Sequence, residues 1–121
     1  MHDYPKAARL LKPAHFRAAY DGGERLACHL FVAFARRRGD LDPARFGFTC
    51  PRALGKAHDR NRIKRRLREC VRLRRDRFPA GLDLVFNPRK SLLGAAWEEI
   101  ERQVEKLLDR LSPCESSSLP S

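Results

Sequence analysis

Three signatures of self-sufficient catalysis are missing from these 121 residues: the phosphate-binding Gly-x-x-x-x-Gly-Lys loop, the Gly-x-Ser-x-Gly elbow and the His-Glu-x-x-His pair. Their absence argues against a P-loop nucleotidase, an elbow-type serine hydrolase and a zinc peptidase of that class. Cys28, Cys50, Cys70 and Cys114 lie 22, 20 and 44 residues apart, and no Cys-x-x-Cys pair opens a zinc site. Two disulfides are arithmetically open, but nothing marks secretion, so reduced thiols in small apolar positions are expected. Cys28 and His29 are adjacent; on a strand they would point to opposite faces, which disfavours a shared metal or a nucleophile–base pair. His2, His15 and His58 sit among charged neighbours and read as solvated. No apolar run approaches the roughly 18 residues of a membrane-spanning helix. The start, Met1-His2-Asp3-Tyr4-Pro5, lacks the apolar stretch of a secretory signal, and a cytoplasmic protein is expected. Acids are also scarce: 15 Asp and Glu face 26 Lys and Arg, a net charge of +11. That excludes an acidic scaffold and makes a polyanion the default partner, nucleic acid first and an anionic membrane surface second.

What is present suffices for one domain with one modest core. Apolar residues make up 42% of the chain and include seven Phe, too many for a disordered basic tail. Residues 1–8 read as a flexible arm, 9–111 as a single domain and 112–121, which end Glu-Ser-Ser-Ser-Leu-Pro-Ser, as a disordered tail. Pro13 opens a helix that runs through Tyr20 and stops at Asp21-Gly22-Gly23. Leu26 to Ala35 reads as one strand, with Leu30, Val32 and Phe34 on one face and Phe31 and Ala33 on the other. Arg45 to Cys50 reads as a second strand, and a charged turn between the two predicts an antiparallel hairpin. Asp59 is a candidate N-cap for a long helix to Phe78, before Pro79 and Gly81. Leu82 to Phe86 is a short buried-type strand, and Leu92 to Leu111 returns to helical periodicity. The predicted class is α+β, with helices packed on a small, mainly antiparallel sheet.

The charge is not spread evenly. Residues 60–77 hold ten Lys or Arg and two acids, a net +8, whereas the other 103 residues contribute only +3. At about 100° per residue, Ile63, Leu67, Cys70, Val71 and Phe78 form a core stripe. Asn61, Lys64, Arg65, Arg68, Arg72 and Arg75 lie opposite, with Arg62 and Arg66 on a flank. A solvated helix face interleaves signs to gain pairs at i and i+4, whereas this one sets like charges against each other. The pattern predicts a nucleic-acid-binding face, and its preference for Arg favours bidentate phosphate contacts. Asn61 adds a neutral donor and acceptor. Phe16, Tyr20 and Phe34 fit either the core or a stacking platform for unpaired nucleotides.

Arg60-Asn61-Arg62-Ile63-Lys64-Arg65-Arg66-Leu67-Arg68-Glu69 resembles the signature helix of the bacterial ribonuclease P protein component. The flanking elements agree in order: the helix with Phe16 and Tyr20, Phe31-Val32-Ala33-Phe34, Gly47, Gly55-Lys56-Ala57, and Asp83 to Arg89. The resemblance covers about residues 9–110. It implies the element order α-β-β-(β)-α-β-α in a two-layer sandwich, with a left-handed crossover around the signature helix. It also implies the protein subunit of a ribonucleoprotein endonuclease that removes the 5′ leader of precursor tRNA. The catalytic RNA and its Mg²⁺ would perform the hydrolysis, and the protein would supply no catalytic residue and hold no metal tightly by itself. Carried over by position, Phe16, Tyr20, Val32, Phe34 and Thr49 would line a leader-binding cleft. Lys56, Arg60, Asn61, Arg62, Lys64, Arg65, Arg68, Arg72 and Arg89 would face RNA. The chain departs from the family in three places. Pro51-Arg52-Ala53 carries one cation where two Lys are frequent, His58 replaces an aliphatic residue, and Asn87-Pro88 replaces small apolar residues. A structural RNA-binding protein without a processing role, such as a ribosomal protein or RNA chaperone, accounts for the charge but not for the ordered motif. A stand-alone nuclease lacks its constellation, and a sequence-specific DNA reader lacks helix-turn-helix spacing.

Overall fold

The structure, a computed structural model, describes residues 13–111. The arm expected over 1–8 and the tail expected over 112–121 lie outside the described residues, as does Cys114. Helix α1 (Pro13–Gly22) starts on a proline, whose missing N–H has no partner to lose in a first turn. Its end is set by Gly23, where a Cβ would stand 2.4 Å from the Ala19 carbonyl oxygen and 2.9 Å from that of Ala35. Only glycine lets the chain pass this close to the sheet as it turns into it.

The expected single strand over 26–35 is two strands, β1 (Glu24–Ala27) and β2 (Phe31–Arg37). Cys28 donates its backbone N–H to the Phe31 carbonyl at 2.9 Å and closes a tight turn between them. Leu30 in that turn is buried in the main core with Phe31, not on the Val32 and Phe34 face. The expected hairpin between this region and β3 (Arg45–Phe48) is also absent. Strand β4 (Leu82–Pro88) lies between them, antiparallel to β2 and parallel to β3, giving the order β1-β2-β4-β3. Its sequence explains the preference. Leu82 to Phe86 are buried throughout, as a central strand covered on both faces requires, whereas β3 is shorter and sits at an edge.

The basic helix, α2 (Ala57–Arg72), is shorter than the 59–78 expected. Lys56, not Asp59, occupies the N-cap, and Asp59 lies in the first turn, where its charge suits the helix dipole. After Arg72 the chain breaks into a 3₁₀ turn at Arg75–Arg77 before Phe78 returns to the core. The expected helix over 92–111 likewise divides into a 3₁₀ segment, Lys90–Gly94, and α3 (Trp97–Leu111). The Arg66 guanidinium sits at that break and donates to the carbonyls of Leu92 (3.0 Å), Leu93 (3.1 Å) and Ala95 (2.7 Å). These orphan carbonyls give a flank cation a structural task.

Register sorts the sheet into two faces. Phe31, Ala33, Ala35, Leu84 and Phe86 share the face that packs under α2 and α3, together with Ile63, Leu67, Cys70, Val71, Ile100 and Val104. Val32, Phe34, Val85 and Asn87 share the other, against which α1 lies. Ala19, Val32 and Val85 are buried there, outside the main core. Among the described residues, the sheet thus separates a layer of two helices from a layer of one.

Candidate nucleic-acid interface

Helix α2 buries Ile63, Leu67, Cys70 and Val71, the stripe read from the sequence, and this fixes which side faces solvent. Asn61, Lys64, Arg65 and Arg68, spaced three and four apart, line one surface depression of about 380 Å³. Lys64 and Arg65 make no hydrogen bond or ion pair with a described residue. Arg62 is exposed beside them. At the N-terminal end Lys56 is exposed, and Arg60 donates from Nε to the Gly55 carbonyl at 3.2 Å. Arg89 projects into solvent while its backbone N–H holds the Leu30 carbonyl at 2.8 Å.

The C-terminal part of the basic segment is different. Arg72 forms a paired contact with Glu69, at 2.9 and 2.6 Å. Arg74 reaches across to Glu101 (3.0 Å) and Glu105 (2.8 Å) on α3, and Arg77 also grips Glu105, at 2.7 Å from each of its oxygens. Hydrogen bonds from Arg77 and Arg74 hold the Glu105 carboxyl down at about 2. The uniform like-charge face expected along the whole segment is therefore confined to its first turns. Beyond them, acids from α3 and Glu69 balance the arginines. Arg74→Ala should accordingly cost stability, about 1 kcal/mol for a partly exposed ion-pair network, and change RNA affinity by no more than about twofold. Chemical denaturation and RNA titration of the same variant check both parts.

On the opposite face of the sheet, α1 and β2 bring the aromatic candidates together. The Tyr20 and Phe34 rings meet edge to face with centroids 4.9 Å apart. Phe16 lies one turn before Tyr20 on the same side of α1 and is half-buried. Val32 borders Phe34 on this face, and Thr49 follows β3. Thr49 Oγ1 donates to Asn87 Oδ1 at 2.6 Å, and Tyr20 Oη donates to the same oxygen at 3.1 Å. The five cleft candidates thus occupy one face, and Asn87 ties three elements together. Asn87 was legible in the sequence only as a departure from small apolar residues.

The two surfaces adjoin. Thr49 faces the cleft while its neighbour Cys50 donates its thiol to the Arg60 carbonyl of α2 at 3.2 Å. Burial raises the Cys50 thiol, and it pushes the Cys70 thiol up to about 11, so neither is a ready nucleophile. Further along the cleft face, Asp83 is fully buried and binds Arg45 through Nε (2.8 Å) and Nη2 (3.0 Å). Arg38 donates to the same carboxylate at 2.7 Å, and Arg36 stands 3.6 Å away. Burial alone would raise the Asp83 pKa, but the hydrogen bonds from Arg45 and Arg38 outweigh it and hold the carboxyl below its ordinary value. Among the described residues, no three His, Cys, Asp or Glu gather where they could hold a metal ion.

Comparison with known proteins converges on one family. The family model described as Ribonuclease P matches residues 4–112. The ribonuclease P protein component of Herpetosiphon aurantiacus is 33% identical over 116 residues, covering 96% of this chain and 94% of that protein. Its counterpart in Symbiobacterium thermophilum is 38% identical over 105 residues, covering 87% and 91%. Among solved structures, the RNase P protein from Thermotoga maritima superposes with a TM-score of 0.76 at 31% identity, covering 87% of this chain and 98% of that one. The Staphylococcus aureus RNase P protein gives 0.74 at 29% identity, covering 86% and 94%.

Proposed function

This chain belongs to the ribonuclease P protein family, and from that membership we propose that it works through two adjoining surfaces. The α2 face holds the ribonuclease P RNA, and the cleft between α1 and the sheet holds the unpaired 5′ leader of precursor tRNA. The chain is the protein subunit of ribonuclease P, a ribonucleoprotein endonuclease. The α+β fold, which among the described residues has three helices on a four-stranded sheet, is the one its solved relatives share.

The observation that carries the division of labour is the contrast between the two faces. Around Asn61, Lys64, Arg65 and Arg68 the surface is cationic and offers rigid donors to phosphates. Around Phe16, Tyr20 and Phe34 it is aromatic with hydroxyls at its rim, which suits stacked, unpaired bases. Thr49 turns toward the cleft and Cys50 toward α2, which supports a reading in which one RNA-bound subunit would also grip the strand that leaves the cleavage site.

The chain's own residues would bind and orient, and leave the chemistry to the RNA. Cations of α2 would neutralise phosphates and release counterions, so assembly should weaken steeply with salt. Magnesium, when bound in the holoenzyme, supplies an activated water and charge stabilisation at the scissile phosphate. The described residues offer it no ligand cluster, and RNA phosphates are its proposed holders. No helix among the described residues is long and apolar enough to cross a membrane, and the proposed location is the cytoplasm.

Phe16→Ala tests the cleft. One lost stacking partner should weaken binding of leader-carrying precursor tRNA by about tenfold, within the range for a single base–aromatic contact. Affinity for mature tRNA and for the ribonuclease P RNA should stay within about twofold of wild type. Equal losses for precursor and mature tRNA would contradict the cleft assignment.

A further inference from the structure

Asn87 puts an uncharged polar group in the cleft, and its surroundings prepare it for use. Thr49 Oγ1 donates to Asn87 Oδ1 at 2.6 Å, and Tyr20 Oη donates to the same atom at 3.1 Å. The amide therefore turns its oxygen, not its nitrogen, toward the hydroxyls. A carbonyl oxygen offers two lone pairs, and the protons of Thr49 and Tyr20 occupy both. The planar amide then directs Nδ2 away from the pair. Nδ2 donates to no described residue, and the side chain is only half-buried. Two N–H donors are thus held in a fixed direction where the Tyr20 hydroxyl meets the sheet, on the face that Val32 and Phe34 share.

We propose that Asn87 reads one leader nucleotide by its base edge, donating from Nδ2 to a ring nitrogen or carbonyl oxygen while the Tyr20 and Thr49 hydroxyls lock the amide. This inference rests on the cleft being the leader site. Stacking on Tyr20 and Phe34 tolerates any base, because every base has a π face. A directed donor does not, because acceptor positions differ from base to base. The cleft would therefore combine sequence-tolerant grip with selection at one position.

The test uses the holoenzyme reconstituted from the full chain and its ribonuclease P RNA. Precursor tRNAs carrying each of the four bases at each of the first several leader positions are compared for binding and cleavage. Wild type is expected to show a spread of about fivefold at one position, the worth of a single hydrogen bond. Asn87→Leu should collapse that spread to less than about twofold while binding of mature tRNA stays unchanged. If Asn87→Leu fails to assemble, Thr49→Val combined with Tyr20→Phe poses the same question, since losing both hydroxyls frees the amide to rotate while the ring at position 20 remains, and it should also flatten the preference. No base preference in wild type, or a spread that survives either variant, overturns the proposal. If Phe16→Ala penalises all leaders equally while Asn87→Leu leaves the spread intact, only the reading role falls. If neither variant affects leader-carrying substrates, the cleft assignment falls with it.

Discussion

Replacing Lys64 and Arg65 together by alanine is expected to weaken assembly with the ribonuclease P RNA by on the order of 100-fold near physiological salt. Both residues line the depression on α2, and neither has a hydrogen bond or ion pair with a described residue to distract it. A cation contacting phosphate contributes a charge-assisted hydrogen bond, of about 1.5–3 kcal/mol, and releases condensed counterions. Removing two such groups should also flatten the plot of log affinity against log salt by about 2, one per lost contact. Stability should stay within about 0.5 kcal/mol, because no core contact is lost and mutual repulsion is relieved. Filter binding or calorimetry across a salt series separates this outcome from a folding defect. Arg74→Ala provides the inverse pattern, since Arg74 spends its charge on Glu101 and Glu105.

Asp83→Ala should have the largest effect on the fold, about 3–5 kcal/mol, the cost of removing one member of a buried ion pair. Arg38 is nearly buried, its side chain only 6% exposed, and it would lose one of its two carboxylate partners, keeping only Asp40 at the surface end of the cluster. Arg45 would lose two contacts with the same group. The pH dependence follows from the direction of the shift. The folded carboxyl lies below its unfolded value of about 3.9. Its contribution is therefore complete above that value and disappears as pH falls through the lower folded pKa. Urea denaturation from pH 7 down to pH 2 should show this acid loss in wild type, and a shallower one in Asp83→Asn. An Asp83→Ala protein as stable as wild type would show that the cluster is incidental.

The legible parts of this fold were those fixed by local pattern. The core stripe of α2 followed from 3.6-residue periodicity, and the central strand from the apolar run Leu82 to Phe86. Pairing was not legible. Two apolar segments separated by a charged turn look like a hairpin, yet β4 enters between β2 and β3 through contacts distant in sequence. The break at Cys28 was hidden because Leu26 to Ala35 is apolar on both sides of it. Long-range charge pairing was hidden for the same reason. Nothing in the sequence marks the partners of Glu101 and Glu105, and only the packing of α3 beside α2 reveals that they neutralise Arg74 and Arg77. Asp83 did leave a trace, as an acid inside an otherwise apolar strand, the usual mark of a buried charge with partners. The cleft residues were recognised by resemblance. The convergence of Tyr20 and Thr49 on Asn87 depends on α1, β4 and the end of β3 meeting at one place.

The subunit role is tested most directly by cleavage of a precursor tRNA at low magnesium, with the ribonuclease P RNA alone, this protein alone, and both together. The two together should cut at the mature 5′ end much faster than the RNA alone, and the protein alone should not cut. Cleavage by the protein alone, or no gain when it joins the RNA, would contradict the account.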